Sequence, residues 1–164
     1  MAQQSCVLLQ NKNSLLPLAR DIRSVAVVGP FAESKAELLG TWTLDGQAED
    51  VTSIIEGIRE TVSQQTRVIG GGMHPESAVA MAQEADAVIA VLGEHPTRSG
   101  EAATFSNIGL PPGQLEMLSQ IAQFEIPVVC VVLAGRALAI EPLRRFADAV
   151  LYCFHPGIEG GRAL

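Results

Sequence analysis

The sequence predicts an α/β fold, a three-layer sandwich in which a mostly parallel sheet of about five or six strands carries helices on both faces. Three observations predict this fold. Short apolar runs rich in Val and Ile recur along the chain, stretches with helical spacing separate them, and glycines follow several of the runs. Continuous apolar runs are typical of strands covered on both faces, and strands that alternate with helices form parallel sheets.

Five apolar runs are the predicted strands. They cover residues 24–28, 66–69, 86–92, 127–133 and 148–154. Each run is short and continuous instead of alternating, as expected of strands buried in a parallel sheet. Because such sheets bind ligands at the carboxyl ends of their strands, candidate functional residues are sought in the segments that follow these runs.

Three helices are predicted between the strands. Asp50 is the expected N-cap of a helix over residues 51–63, whose apolar residues fall on one face. Pro75 begins a second helix over residues 76–84, and Pro111-Pro112-Gly113 opens a third. Helix-like segments also stand at both ends of the chain, and we interpret these ends as the boundaries of a piece of a longer protein.

Composition predicts one ordinary globular α/β domain over residues 1–164. Hydrophobic residues make up 48% and charged residues 18%, while aromatic residues are only 4%, so the core is expected to be aliphatic. The net charge of −7 argues against nucleic acid as a partner, because phosphate contacts need clustered Lys and Arg. No apolar stretch approaches the ~20 residues that cross a bilayer, and nothing in the sequence indicates where the protein is located.

Neither a metal nor an organic cofactor is expected. The odd number of cysteines (Cys6, Cys130 and Cys153) and their apolar surroundings favour buried free thiols, and no Cys–His spacing is typical of a metal site. The first strand is not followed by GxGxxG, and no Walker A sequence occurs. Glycines 70–72 are interpreted as a flexible turn in preference to an anion cradle.

The long connection over residues 93–110 carries the most informative residue, Glu101. Its carboxyl group follows a predicted buried strand, beside Gly, Ser, His and Arg, so it is a candidate proton donor or acceptor. The alternative is a solvated loop acid. Trp42, the only tryptophan, lies in a Gly- and Asp-rich loop, where it is either a core residue or a platform for the apolar face of a sugar ring.

Eight stretches, in order along the chain, resemble one known family. They cover residues 5–18, 25–30, 39–42, 85–94, 99–102, 127–129, 135–138 and 156–161, and include Gly40-Thr41-Trp42 and Ser99-Gly100-Glu101-Ala102. On these motifs the chain resembles the C-terminal α/β sandwich domain of glycoside hydrolase family 3, the β-glucosidase and exo-glucanase family. The resemblance extends over essentially the whole chain.

The resemblance implies a retaining β-glycosidase in which an N-terminal (β/α)8 barrel, absent from this chain, carries an Asp nucleophile. Glu101 would then be the general acid/base for terminal β-linked sugars, and Trp42 would line the leaving-group subsite. His95 and Arg98 would orient Glu101 or contact the sugar, with exposed loop residues as the alternative. Glu94 is a second candidate acid, which we interpret as structural because it directly follows the strand.

The chain departs from the family pattern after the Glu-Ala pair. Many bacterial members have an Arg and an Asp where this chain has Phe105 and Asn107, so a sugar contact made by that Arg would be missing here. This departure favours an alternative, a non-catalytic carbohydrate-binding or structural module that buttresses the barrel. A free-standing flavodoxin-like ligand-binding domain is a third hypothesis. On the first hypothesis the isolated chain is expected to be inactive, because the nucleophile belongs to the barrel.

Overall fold

The sheet of the computed structural model has six strands, and the structure describes residues 1–71 and 74–164. The strands are β1 (Val7–Asn11), β2 (Ser24–Val28), β3 (Arg67–Gly71), β4 (Ala87–Gly93), β5 (Val128–Leu133) and β6 (Ala149–Tyr152). All five predicted strands are confirmed, although the last one is shorter than the predicted range 148–154. Glycines 70 and 71 end β3 instead of forming a turn, and glycine 72 lies outside the described residues.

The strand order is β1-β6-β5-β4-β2-β3, and every pairing is parallel except that of β1 with β6. β1 was absent from the five predicted strands. Its side chains at Val7 and Leu8 are 44% and 53% exposed, so this edge strand lacks the buried apolar pattern of the inner strands. A register shift between Leu8 and Gln10 further interrupts its pairing with β6.

The order of the strands places a topological switch point between β2 and β4. From β2 the chain goes to β3 on one side and then returns to β4 on the other side. The loops that leave the carboxyl ends of β2 and β4 therefore diverge, which opens a crevice at this edge of the sheet. The long connection after β4, which contains Glu101, begins at this edge.

The helices are α1 (Ala2–Ser5), α2 (Ala36–Leu39), α3 (Ile54–Thr61), α4 (Pro75–Gln83), α5 (Gln114–Ile121) and α6 (Gly160–Ala163). The predicted N-cap at Asp50 is wrong. Ser53 caps α3 in a capping box, in which Glu56 N donates to Ser53 Oγ and Ser53 N donates to Glu56 Oε2. Asp50 instead ends a short 3-10 turn over Ala48–Asp50, so the helix starts later than residue 51.

Two aliphatic clusters, one on each face of the sheet, confirm the three-layer arrangement. Along β2, Ala26 and Val28 pack in the layer that holds α4 and α5. Val25 and Val27 pack in the opposite layer, which holds α2 and α3. Because successive side chains of a strand point to opposite faces, an uninterrupted apolar run is what a doubly covered strand requires.

The cysteines divide between the two clusters. Cys130 is fully buried on the face of α4 and α5, whereas Cys153 is fully buried on the opposite face. Cys6 packs against the same cluster as Cys153 but is only partly buried, so full burial is confirmed for two of the three predicted thiols. Over residues 1–71 and 74–164, the structure contains no helix with the length and apolarity needed to cross a bilayer.

Candidate active site

The carboxyl end of β4 is held tightly against its neighbours. Gly93 has a φ of +136°, and a Cβ atom there would lie 1.8 Å from the carbonyl oxygen of Leu133 at the end of β5. The buried amide of Gln114 donates to Gly93 O at 2.7 Å and accepts from Gly93 N at 2.9 Å. Glu94 N donates to Leu133 O at 3.0 Å. These contacts require glycine at position 93 and fix the direction in which Glu94 leaves the strand.

Glu94 is buried and paired with Arg136. Arg136 Nε donates to Glu94 Oε1 at 2.7 Å and Arg136 Nη2 donates to Glu94 Oε2 at 3.1 Å. The Glu94 side chain is 1% exposed and the Arg136 side chain 21%. Hydrogen bonding to the Glu94 carboxylate raises the pKa of Arg136. Both Glu94 oxygens are therefore occupied by a bidentate ion pair.

The same guanidinium holds the long loop after β4. Arg136 Nη1 donates to the Phe105 carbonyl oxygen and Nη2 to the Asn107 carbonyl oxygen, both at 2.7 Å. The Phe105 ring lies under Arg98, whose Cζ is 4.6 Å from the ring centroid, and is 5.9 Å from Arg136 Cζ. The acceptors are backbone carbonyl oxygens. These two hydrogen bonds therefore do not require the Arg and Asp side chains that the family pattern has at positions 105 and 107.

Tyr152 of β6 holds the backbone of residues 136–138 in place. The Tyr152 hydroxyl donates to the Arg136 carbonyl oxygen and accepts from Leu138 N at 3.2 Å. Arg136 is thereby fixed through its own backbone and through the carboxylate of Glu94. Three segments, the ends of β4 and β5 and the loop after β4, are joined at one side chain.

Glu101 lies at the exposed tip of this loop. A turn in which Ala103 N donates to Gly100 O at 3.3 Å contains it, and the next residue, Ala102, has a φ of +58°. Its carboxylate makes no hydrogen bond or ion pair with any residue that the structure describes. The site therefore contains two acids in contrasting environments, with Glu94 buried and paired and Glu101 exposed.

Trp42 lies beside the Glu101 loop. It is 68% exposed, and a Cβ atom at Gly100 would lie 3.4 Å from Trp42 Nε1 and 3.1 Å from Thr41 Oγ1. Of the two interpretations of this residue, a core position is therefore wrong. The exposed indole stands next to the residue that precedes Glu101.

His95 precedes a 3-10 turn over Pro96–Arg98 in the same loop, and Arg98 is the last residue of that turn. The exposed imidazole of His95 is hydrogen-bonded through Nδ1 to Thr97, at 2.9 Å from Oγ1 and 3.3 Å from the backbone N. Arg98 is half-buried against Phe105. Neither side chain makes a hydrogen bond or ion pair with Glu101 within the described ranges, so their observed contacts serve the loop itself.

Sequence reasoning missed His155, which follows β6 at the same edge. A Cβ atom at Gly135 would lie 2.8 Å from His155 Nε2 and 2.0 Å from Ser99 Oγ, and one at Gly40 would lie 3.1 Å from His155 Cδ2. Both ring nitrogens are buried and make no hydrogen bond to the residues described. The imidazole thus fills the space between three segments, which carry Gly40, Gly135 and Ser99 and lead to Trp42, Arg136 and Glu101 respectively.

Burial lowers the pKa of His155, and the Glu94 charge partly opposes the shift. The folded domain therefore favours the neutral ring, whereas the unfolded chain takes up a proton near the ordinary histidine value of 6.5. We expect the free energy of unfolding to fall as the pH drops below 6.5, because the unfolded state then binds the extra proton. Urea unfolding between pH 7.5 and about 5 measures this slope.

Two variants isolate the contribution of His155. His155→Leu removes the buried imidazole and is expected to flatten the slope in that pH window. His95→Leu removes an exposed imidazole and is expected to leave the slope in place. An unchanged slope in His155→Leu would show that another group causes the pH dependence.

Residues 1–71 and 74–164 contain no group of three His, Cys, Asp or Glu side chains arranged to hold a metal ion. The site is instead an edge of a doubly covered parallel sheet, built around one buried ion pair with an exposed carboxylate and an exposed indole above it. This architecture is that of an α/β sandwich domain with a polar cluster at the carboxyl ends of its strands.

Comparison with known proteins identifies the family. The family described as "Glycosyl hydrolase family 3 C-terminal domain" matches residues 6–164, and the chain belongs to this family. The periplasmic beta-glucosidase of Salmonella typhimurium is 30% identical over an alignment 193 residues long, gaps included, which covers 100% of this chain and 25% of the relative. The lysosomal beta glucosidase of Dictyostelium discoideum is 32% identical over 184 residues, covering 99% and 22%.

Solved structures agree with this assignment. The β-glucosidase of Listeria innocua in complex with glucose superimposes with a TM-score of 0.89 and is 33% identical, covering 99% of this chain and 23% of that one. An exo-β-xylosidase of the family, solved with a xylobiose aziridine probe, gives a TM-score of 0.87 at 31% identity, covering 99% and 22%. The fold class predicted from the sequence is confirmed. The chain spans about a quarter of the length of the relatives it matches.

Proposed function

We propose that this domain supplies the general acid/base, Glu101, and part of the sugar pocket to a retaining β-glycosidase that cleaves terminal β-linked sugars. The nucleophile would come from an N-terminal (β/α)8 barrel in a longer chain. The relatives named as β-glucosidases are the reason to propose a β-glucoside or β-linked oligosaccharide as the substrate.

The position of Glu101 on its loop supports the proposal. Glu101 is an unpaired carboxylate at the tip of a loop whose base is pinned by Arg136 through Glu94 and the Phe105 and Asn107 carbonyl oxygens. A general acid that serves another domain must project from its own domain and yet be held in position. An exposed loop tip above a fixed base meets both requirements.

The chemistry needs two carboxyl groups about 5–5.5 Å apart, one ionised and one protonated. The ionised group attacks the anomeric carbon while Glu101 gives its proton to the departing oxygen. Glu101 then accepts a proton from the water that hydrolyses the glycosyl-enzyme. Glu94 is a poorer candidate for this role, because both of its oxygens accept hydrogen bonds from Arg136.

The neighbours of Glu101 would take supporting roles. Trp42 offers an exposed ring next to the loop, suited to stacking on the apolar face of the sugar or aglycone at the leaving-group side. Arg98 packs on the Phe105 ring and His95 is hydrogen-bonded to Thr97. These contacts order the segment that leads to Glu101. Direct contact of either residue with the sugar is part of the same proposal.

A pH–rate profile of the longer enzyme tests the proposal. In a retaining glycosidase the basic limb of kcat/KM reports the loss of the acid's proton and the acidic limb reports protonation of the nucleophile. We expect Glu101→Gln to abolish the basic limb and to keep the acidic limb. Glu49→Gln, which removes another exposed acid, is the control and should keep both limbs.

The alternative, a non-catalytic carbohydrate-binding or structural module, predicts another result. If the basic limb persists in Glu101→Gln, the acid/base is Glu94 or a residue outside this domain, and in the second case this domain only binds sugar or buttresses the barrel. Unaltered turnover together with weaker sugar binding in Trp42→Ala would then distinguish the binding module from a purely structural one.

A further inference from the structure

Two cysteines face each other across the only antiparallel strand pair among the described residues. In this pair Val7 lies opposite Tyr152 and Leu8 lies opposite Leu151. One residue further along the same register, Cys6 lies opposite Cys153. Cys6 continues the extended backbone, with φ −74° and ψ 131°, so the register carries over to it.

The two thiols also lie on the same face of the sheet. Cys153 is buried in the cluster beneath α2 and α3, and Cys6 packs against that cluster from the edge. The Cys6 thiol donates a hydrogen bond to the Ala2 carbonyl oxygen at 3.5 Å. The neighbouring Cys153 thiol lowers the pKa of Cys6 to about 7, and the interaction with Cys6 raises the pKa of Cys153. Cys6 is therefore expected to be the more reactive of the two thiols, because it is the more exposed and has the lower pKa.

We propose that Cys6 and Cys153 are a redox-modification site that closes to an intramolecular disulfide on reaction with a small organic disulfide. Opposed residues of an antiparallel pair have Cα atoms about 4.5–5.5 Å apart, and disulfides span about 4.4–6.8 Å between Cα atoms. The bond can thus form without movement of the strands. This site is separate from the proposed glycosidase chemistry and is independent of it.

The reaction is a thiol–disulfide exchange in two steps. The Cys6 thiolate attacks one sulfur of the small disulfide, which breaks its S–S bond, releases one thiolate and leaves a mixed disulfide on Cys6. The Cys153 thiol then loses its proton and attacks the Cys6 sulfur, which releases the second small thiolate. Two protein thiols lose two electrons and two protons, and one small disulfide becomes two small thiols.

The cross-link would fasten the edge strand β1 to β6. β1 is an exposed edge strand with an interrupted register, so its pairing is weaker than that of the inner strands. A disulfide between positions 6 and 153 would also close a loop of most of the chain, which restricts the unfolded state strongly. Oxidation is therefore expected to raise the melting temperature by about 5–15 °C.

Cys130 is a matched internal control. It is fully buried on the opposite face of the sheet, and burial raises its pKa to about 12. It therefore cannot reach either of the other thiols. We expect it to remain a free thiol when the other two are oxidised.

The test equilibrates the chain with mixtures of reduced and oxidised glutathione, quenches it with a maleimide under denaturing conditions and measures the intact mass. We expect the three alkylated thiols of the reduced chain to fall to one, and a digest to contain the peptides of Cys6 and Cys153 joined. Cys130→Ala should form the same cross-link and rise equally in melting temperature. Cys6→Ser changes a partly exposed position and should abolish both effects.

Three results on the unsubstituted chain would overturn the proposal. They are a stable glutathione adduct on Cys6 without the cross-link, a disulfide between two chains, and three alkylated thiols at every glutathione ratio. A cross-link that persists in Cys6→Ser would overturn it as well. Because these outcomes are read from mass alone, they do not depend on glycosidase activity.

Discussion

Replacing Glu101 by alanine in the longer enzyme is expected to slow hydrolysis of glycosides with poor leaving groups by roughly 10²–10⁴-fold. Substrates with good leaving groups, such as dinitrophenyl glycosides, should lose far less in the first chemical step, because their departing oxygen needs no proton. Steady-state kcat/KM across a series of aryl β-glycosides measures this difference. A loss that is equal for all leaving groups would contradict an acid role.

External azide should restore turnover of the Glu101→Ala enzyme. Without the base, water hydrolyses the glycosyl-enzyme only slowly. Azide needs no deprotonation, so it can attack the glycosyl-enzyme in place of water. The expected product is a glycosyl azide with retained configuration, identified by nuclear magnetic resonance. Glu49→Ala, which removes an exposed acid elsewhere in the domain, is the control and should show neither the leaving-group dependence nor the azide effect.

Replacing Arg136 by methionine is expected to have the largest effect on stability. Glu94 would keep a buried carboxylate whose charge has lost its partner, and the Phe105 and Asn107 carbonyl oxygens would lose their donors. We expect the melting temperature to fall on the order of 10 °C. Differential scanning calorimetry of the variant and of Arg145→Met, which changes an exposed arginine, measures the effect.

A double variant separates the charge from the packing. In Glu94→Leu/Arg136→Met both charges are gone, so the penalty for an unpaired buried carboxylate disappears and most of the lost stability should return. The loop should nevertheless remain loose, since no donor holds the carbonyls of residues 105 and 107. If the double variant is less stable than Arg136→Met alone, the ion pair is not what makes the single substitution costly.

The inner strands could be predicted because burial on both faces leaves a direct signature in the sequence. β4 shows it most clearly, with seven buried residues in succession. β1 was harder to find, because its apolar run ends at Leu9 and its side chains are not buried on both faces. The start of α3 could be predicted from the Ser53 and Glu56 spacing of a capping box, which is a more specific signal than Asp50 alone.

The site was harder to predict than the fold. The exposed Glu101 and Trp42 could be selected by residue type and by the loop each occupies. The pairing of Glu94 with Arg136 joins positions 42 apart in sequence, and it becomes visible only when β4 and β5 are known to be neighbours. His155 directly follows a predicted strand, so its place at this edge could be predicted. Its burial between three loops could not, because the sequence does not show which loops meet there.

The fixed base of the Glu101 loop also limits how far its tip can travel. The Phe105 carbonyl is anchored by Arg136, and Glu101 precedes it by four residues, so a fully extended tether would be at most about 14 Å long. On the proposed mechanism, a nucleophile in another domain must lie within that radius of the anchor, extended by the length of the Glu101 side chain and by the about 5–5.5 Å between the two carboxyl groups. Each residue inserted between positions 101 and 105 would lengthen this segment by about 3.5 Å. Glu101 could then move through a larger volume of solvent, and its carboxyl group would be positioned less well for the sugar.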